Sequence, residues 1–231
     1  MKTRIQLLLL LTFGLSLAQK NKTNETLFET DKQIYKNALK YNDANTAIIS
    51  IHNIIAKEGE NTTYKDSLAI LYYKTNNFVS SYFVTKELLE KKPKDLQLLE
   101  INAISLQNIG DSKKAVTAYE TLFALSKNQY HGYQLATIQF NLKRFGEAQT
   151  TIQQTLSCQE IKEAQVQIPV DKDQTQNVPL KAALSNLQGL VAYELKDNAY
   201  AKKSFENALT ILPEFILAKQ NIAALEKEIK K

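Results

Sequence analysis

Glycine and proline are scarce in this 231-residue chain, at six and four. Such scarcity argues against a loop-rich sheet protein and for long regular elements. Cys158 is the single cysteine, so no intrachain disulfide can form and stability has to come from packing. A lone cysteine near a helix end reads as a structural residue. The net charge is only +5 and no dense Lys/Arg stripe occurs, which points away from nucleic acid as a partner.

Recognisable chemistry is missing as well. The chain has no phosphate-cradling glycine motif, no Gly-x-Ser-x-Gly elbow and no His-Glu-x-x-His. His52 and His131 stand alone in sequence and read as satisfied surface or core residues. Carboxylates are scattered singly, with nothing to mark an acid/base pair. No catalytic, cofactor-binding or metal-ligating residue is therefore nominated, and no cofactor is expected. An enzyme with an unrecognised site stays as one alternative.

What is present begins at the amino terminus. Lys2 and Arg4 precede an apolar run from Ile5 to Leu17, and Ser16-Leu17-Ala18 supplies the small residues that a signal peptidase needs. Thirteen residues are too few to span a hydrocarbon core of ~30 Å as a helix, but they suit a cleavable signal peptide. No cysteine follows Ala18, so the lipoprotein route is closed. The expected product is periplasmic or secreted, with a net charge of +3 and no stable membrane insertion after cleavage. Asn21-Lys22-Thr23, Asn24-Glu25-Thr26 and Asn61-Thr62-Thr63 are acceptor-like triplets that matter only in a glycosylating host.

The rest is periodic. A small residue recurs at Ala47, Ser81, Ala115, Ala148 and Ala201, at intervals of 34, 34, 33 and 53. Twelve residues before each stand Tyr35, Ala69, Ala103, Ala136 and Gly189, four of the five small. Between the members of each pair lies a turn signal, such as Asn42-Asp43, Gly110-Asp111 or Lys196-Asp197. Two antiparallel helices joined by about three residues approach closely only where side chains are small. Bulky apolar residues then follow at helical spacing, Tyr119, Leu122 and Phe123 in the third unit. Pro93 and Pro213 end the second helices of units two and five.

This pattern resembles the tetratricopeptide repeat family over about residues 28 to 231. In the last unit Gly189, Ala201, Phe205, Ala208 and Pro213 fall where the family has Gly, Ala, aromatic, Ala and Pro. Unit two matches through Ala69, Tyr72, Phe78 and Pro93, with Ser81 for the expected Ala. Unit one departs most, because Tyr35 sits where a small residue is usual, and no unit carries the family's Trp. The expected fold is all-α: an α-solenoid of about five helix pairs, closed by a capping helix after Pro213. That helix has Phe215, Leu217, Ala218, Ile222 and Leu225 on one side and charges on the other, as a terminal solenoid element requires.

The long interval places extra residues at 158–180. Val166-Gln167-Ile168-Pro169-Val170 and Gln176-Asn177-Val178-Pro179-Leu180 flank a polar turn, which predicts a hairpin-like insertion before the last repeat. It reads either as a tolerated surface loop or as a docking element using Ile168, Val170, Val178 and Leu180. The layout is then a signal peptide at 1–18, a disordered lead-in at 19–27, repeats one to four at 28–157, the insertion, and the last repeat with its cap at 181–231.

The resemblance also implies where a partner sits, since the family lines its concave face with the first helix of each unit. Helical spacing selects Tyr73, Tyr130, Tyr133, Phe140, Asn141 and Tyr193. Rings bury the side chains of an extended segment, while amides satisfy its backbone; alternatively these tyrosines pack between helices. A clamp for a terminal carboxylate is not implied, because Ser67 and Ile101 replace its Asn and Arg. The functional expectation is a protein-binding scaffold, with a fixed subunit of an envelope or secretion assembly as the other reading. The oligomeric state and the partner's identity are open. One outcome follows directly: protein from the envelope fraction begins at or near Gln19 by intact mass, and retention of Met1 overturns the signal peptide.

Overall fold

The computed structural model describes residues 26–59 and 63–229. The expected signal peptide at 1–18 and residues 19–25 of the lead-in lie outside the described residues. Residues 26 and 27, also expected in the disordered lead-in, instead open the first helix, where the Thr30 hydroxyl donates to the Thr26 carbonyl at 2.8 Å. The chain forms two compact units, up to Pro93 and from Lys94 onward.

The first unit holds α1 (26–40), α2 (Ala44–Glu58), α3 (Tyr64–Lys74) and α4 (Phe78–Lys91). The second holds α5 (Leu96–Ile109), α6 (Ser112–Ser126), α7 (Gln129–Asn141) and α8 (Phe145–Leu156). It continues through β1 (Gln165–Pro169), β2 (Thr175–Pro179), α9 (Leu180–Glu194), α10 (Asn198–Ile211) and α11 (Ile216–Ile229). Within the second unit each helix packs on its sequence neighbours, from α5 to α11, with the hairpin resting on α9. That nearest-neighbour stacking makes the chain an all-α solenoid of helix pairs.

The pairs close on small residues. Ala47, Ala69, Ser81, Ala103, Ala115, Ala136, Ala148 and Ala201 have no exposed surface. A Cβ added at Gly189 meets the Phe205 ring at 2.4 Å, so this glycine makes room for the aromatic on the facing helix. Ser81 fits because its hydroxyl donates across the pair to the Ala69 carbonyl at 3.4 Å. In the first pair Tyr35 is half-buried against the core of Ala38, Ala47 and Leu68, edge-on to Tyr64 of α3 with ring centroids 5.5 Å apart. Ala38, nearly one turn later, is the buried small residue there.

The turn between paired helices repeats one conformation. Asn42, Asn76, Gly110, Lys143 and Lys196 stand at the same place in the five units, and all have φ between 56° and 88°. The next residue sends its N–H back five residues, as in Asp43 to Ala38 O (2.8 Å) and Asp197 to Ala192 O (2.9 Å). This is the Schellman closure of a helix, which satisfies end carbonyls that would otherwise lack partners. The same following residue caps the second helix. Asp43, Asn77, Asp111 and Asp197 accept from the N–H three residues on, at 3.0–3.3 Å. Arg144 cannot do so and instead pairs its guanidinium with Glu147 in the first turn of α8.

Only Gly110 occupies the left-handed conformation without a Cβ penalty, which is about 1–2 kcal/mol for other residues. Gly110→Ala is therefore expected to cost about 1 kcal/mol. Lys143→Gly should gain about 0.5 kcal/mol, the relief of strain being partly offset by a freer unfolded chain. Urea midpoints moving in opposite directions check the pair; equal shifts overturn this account of the turn.

Candidate functional site

Each first helix gives one face to its own partner helix and another to a neighbouring repeat. In the second unit the remaining face carries Ile104, Gln107 and Asn108 on α5, Tyr130, Tyr133, Thr137, Phe140 and Asn141 on α7, and Leu190, Tyr193 and Glu194 on α9. Gln107, Asn108, Asn141 and Glu194 are exposed, while the apolar members are half-buried. The predicted aromatic residues are thus present on this face, but most are engaged by the chain itself.

Tyr130 and Tyr133 pack against a core formed by Val166 and Val178 of the hairpin, Leu180 and Leu184 of α9, and Phe215 and Ala218 beyond α10. Burial pushes the Tyr133 phenol above the usual tyrosine range. Phe140 lies against the Ala136–Ile152 core and tilts onto Phe145 at 5.6 Å. The Tyr193 hydroxyl donates to the Glu228 carboxylate of α11, which holds its proton and raises the phenol's pKa. In the first unit Tyr73 sits edge-on to Phe78 at 6.3 Å.

The insertion is a true antiparallel hairpin, with Val166 opposite Val178 and Ile168 opposite Gln176. Asp171 Oδ1 accepts from the N–H groups of Asp173 and Gln174, both at 3.0 Å, and so shapes the turn. Val178 and Leu180 are fully buried in their own chain and are not free to dock a partner; Ile168 and Val170 are half-buried. Two glutamines fasten it. Gln176 donates to Glu214 O at 2.8 Å and accepts from the Ile216 N–H at 3.0 Å, joining the hairpin to the start of α11. Gln129, buried on α7, donates to the carbonyls of Thr155 and Cys158 and accepts from the Ile161 N–H. Neither glutamine sits in a pattern that marks it in the sequence.

His131 is buried, with both ring nitrogens engaged. Nδ1 lies 2.9 Å from the Ser126 hydroxyl and Nε2 3.5 Å from Glu100 Oε1. The imidazole beside Glu100 holds that carboxyl below its ordinary range, against the opposing effect of burial. The chain of three ties α5, the end of α6 and α7 together. His52 is exposed and 2.7 Å from the Tyr72 hydroxyl.

A cleft of about 920 Å³ lies among α6, α7 and α8, lined by Phe123, Leu135 and Phe145 with Glu120, Lys127, Arg144 and Glu147 at its polar margin. Among the described residues no helix is long and apolar enough to cross a membrane.

Comparison with solved structures identifies this arrangement as the tetratricopeptide repeat fold. A tetratricopeptide repeat protein from Parabacteroides merdae superposes with a TM-score of 0.64 at 15% identity, over 88% of this chain and 74% of that one. YrrB, described as a TPR protein with an unusual peptide-binding site, gives 0.64 at 13% identity, over 80% of this chain and 87% of that one. MamA from Desulfovibrio magneticus gives 0.59 at 11% identity, over 81% and 96%. No family model matches the sequence, and no curated protein matches it.

The two kinds of inner residue are expected to behave differently. Tyr133→Ala removes a ring packed into two core clusters and should cost about 2–4 kcal/mol. Asn141→Ala alters an exposed amide and should stay within about 0.5 kcal/mol of the parent. Thermal melts of the two variants distinguish them, and equal stability means Tyr133 is not a core residue.

Proposed function

We propose that the protein is a non-enzymatic scaffold, exported by its signal peptide to the cell envelope or beyond, that holds a protein segment against the inner face of its second unit. The observation that carries this reading is the pair of exposed amides Asn108 and Asn141, at matching places on α5 and α7, beside half-buried Ile104, Thr137 and Leu190. An extended segment leaves backbone groups unpaired, and each one buried without a partner costs about 1–3 kcal/mol. Amides that donate and accept meet that need, while the apolar neighbours take up side chains. The peptide-binding description of YrrB supports the same use of a similar fold.

Because Tyr130 and Tyr133 are packed against the core that the hairpin shares with α9 and Phe215, binding is assigned to the part of the face toward the carboxyl ends of α5, α7 and α9. Cross-linking in the native envelope with mass spectrometry names the partner. Asn108→Ala/Asn141→Ala should then weaken that segment's binding about tenfold or more with an unchanged melt. Full affinity in this variant removes the assignment.

A second reading, a subunit fixed in an assembly through its outer side, has its own observation. Ile49, Val79 and Phe83 on the second helices of the first unit are 63%, 54% and 57% exposed. Thr117, Thr150 and Lys203 stand where Ile49 and Phe83 do in later repeats, so the fold does not require apolar residues there. Loss of co-purification on Phe83→Lys, with the amide variant unaffected, selects this reading over the first.

A further inference from the structure

The cleft among α6, α7 and α8 holds polar groups that its own chain leaves unused. Gln139 of α7 lines it and is only 3% exposed. Its Oε1 accepts from the Thr151 hydroxyl at 2.8 Å, but its amide nitrogen has no acceptor among the described residues. A buried donor left unpaired calls for an acceptor from outside the chain. Lys143 stands at one end of the cleft and Lys127, beside Gln154, at the other. Neither lysine has a carboxylate partner among the described residues. Arg144 instead holds both acids of the cleft, Glu147 at 2.7 Å and Glu120 at 4.0 Å. The lining thus has two free cations around the apolar surfaces of Phe123, Leu135 and Phe145.

The second residue of α8 keeps the mouth of the cleft open. In the other second helices this place holds Asn45, Val79, Lys113 and Ala199, and in α8 it holds Gly146. Glycine is a poor helix former, and a Cβ built on Gly146 meets nothing within 4 Å. Packing of this chain therefore does not require a glycine there, and the space above it belongs to the cleft.

We propose that this cleft is a second protein-binding site, for an acidic segment that carries an apolar side chain between two carboxylates. Leu135 and Gln139 each lie two residues from Thr137, about 200° around α7, so the site is separate from the inner face. The lining of α8 runs from Phe145 to Gln154, a rise of about 14 Å. An extended chain at ~3.3 Å per residue covers that length in four residues. Asp or Glu residues four apart then reach both lysines, and the side chain midway between them rests on Phe123, Leu135 and Phe145. A backbone carbonyl of the segment accepts from the Gln139 amide. The cleft is open rather than enclosed, and a hollow of about 480 Å³ continues it past Lys127 to Ser157 and Cys158. A small molecule is mostly enclosed by its site, whereas an open channel suits a chain that enters and leaves.

The probe is the peptide acetyl-Gly-Asp-Ala-Phe-Ala-Asp-Gly-amide, whose blocked ends leave side-chain carboxylates alone. Isothermal calorimetry on the protein as its host accumulates it should show one site. Replacing both Asp by Asn, or Phe by Gly, should weaken binding at least tenfold. Lys127→Glu/Lys143→Glu should weaken it as much, with little change in melting. Gln139→Glu keeps the acceptor for Thr151 but removes the free donor, and should weaken it too. Gly146→Leu should block the mouth while the melting temperature does not fall, so unfolding cannot explain its loss of binding. Asn108→Ala/Asn141→Ala should bind the probe unchanged; a loss there puts the probe on the inner face and overturns the second site. Absence of binding at millimolar probe overturns it as well, as does binding indifferent to Gly146→Leu and to the lysine changes. If 3-phenylpropionate binds as tightly as the peptide, a free acid fills the cleft and the assignment to a protein segment is overturned.

Discussion

The structure depends on how closely two helices of a pair can approach. Eight small residues with no exposed surface, from Ala47 to Ala201, sit at these contacts, and a ninth, Gly189, leaves space for a phenylalanine ring. Close-packed interiors respond to the addition of a single methylene, so these positions set the geometry of each pair before the larger core residues fill in around it. The turn must deliver the second helix to that contact after three residues. A left-handed residue, a Schellman hydrogen bond and in four turns a side-chain N-cap do this. Asn and Lys are tolerated in the strained position because the reward is a fully packed pair.

Stacking makes each pair rely on its neighbours, and the polar contacts in the second unit reinforce that dependence. The Glu100–His131–Ser126 chain crosses from one pair to the next. Thr151 donates to Gln139 at 2.8 Å within the fourth pair, and the Asn221 amide donates to Asn186 at 2.9 Å between the last pair and the final helix. Buried polar groups are costly when unpaired and specific when paired. They hold the register of the stack more than they add to its stability.

The hairpin changes what the inner face can offer. A first helix that lined an open groove would leave Tyr130 and Tyr133 to a partner, but both pack against a core that the insertion builds together with α9 and Phe215, and the insertion is itself secured by Gln176 and Gln129. The apolar pattern Val166–Ile168–Val178–Leu180 is therefore accounted for by intramolecular burial. What remains outward is amide-rich, which suits recognition of backbone more than of large apolar side chains.

Much of the fold was legible from local rules. The period, the small residues at fixed spacing, the turn signals and the alternating insertion each follow from short-range geometry, and the structure has helices, turns and a hairpin at those places. Tyr35 was legible only as a departure; its packing against the core and Tyr64 needed the assembled structure. The candidate site was legible in part. Helical phase placed Tyr130, Tyr133, Phe140 and Tyr193 on first helices, yet it could not say that a core shared by a later hairpin and α9 would engage two of them or that Glu228 would take the hydroxyl of Tyr193. Gln129 and Gln176 were invisible, since a glutamine's role is set by which backbone groups are left unpaired near it. The sequence by itself determined the elements and their pairing, because those depend on neighbours within about a dozen residues. Tertiary structure alone decided which surfaces stay open, because burial between segments distant in the chain is a property of the assembled stack.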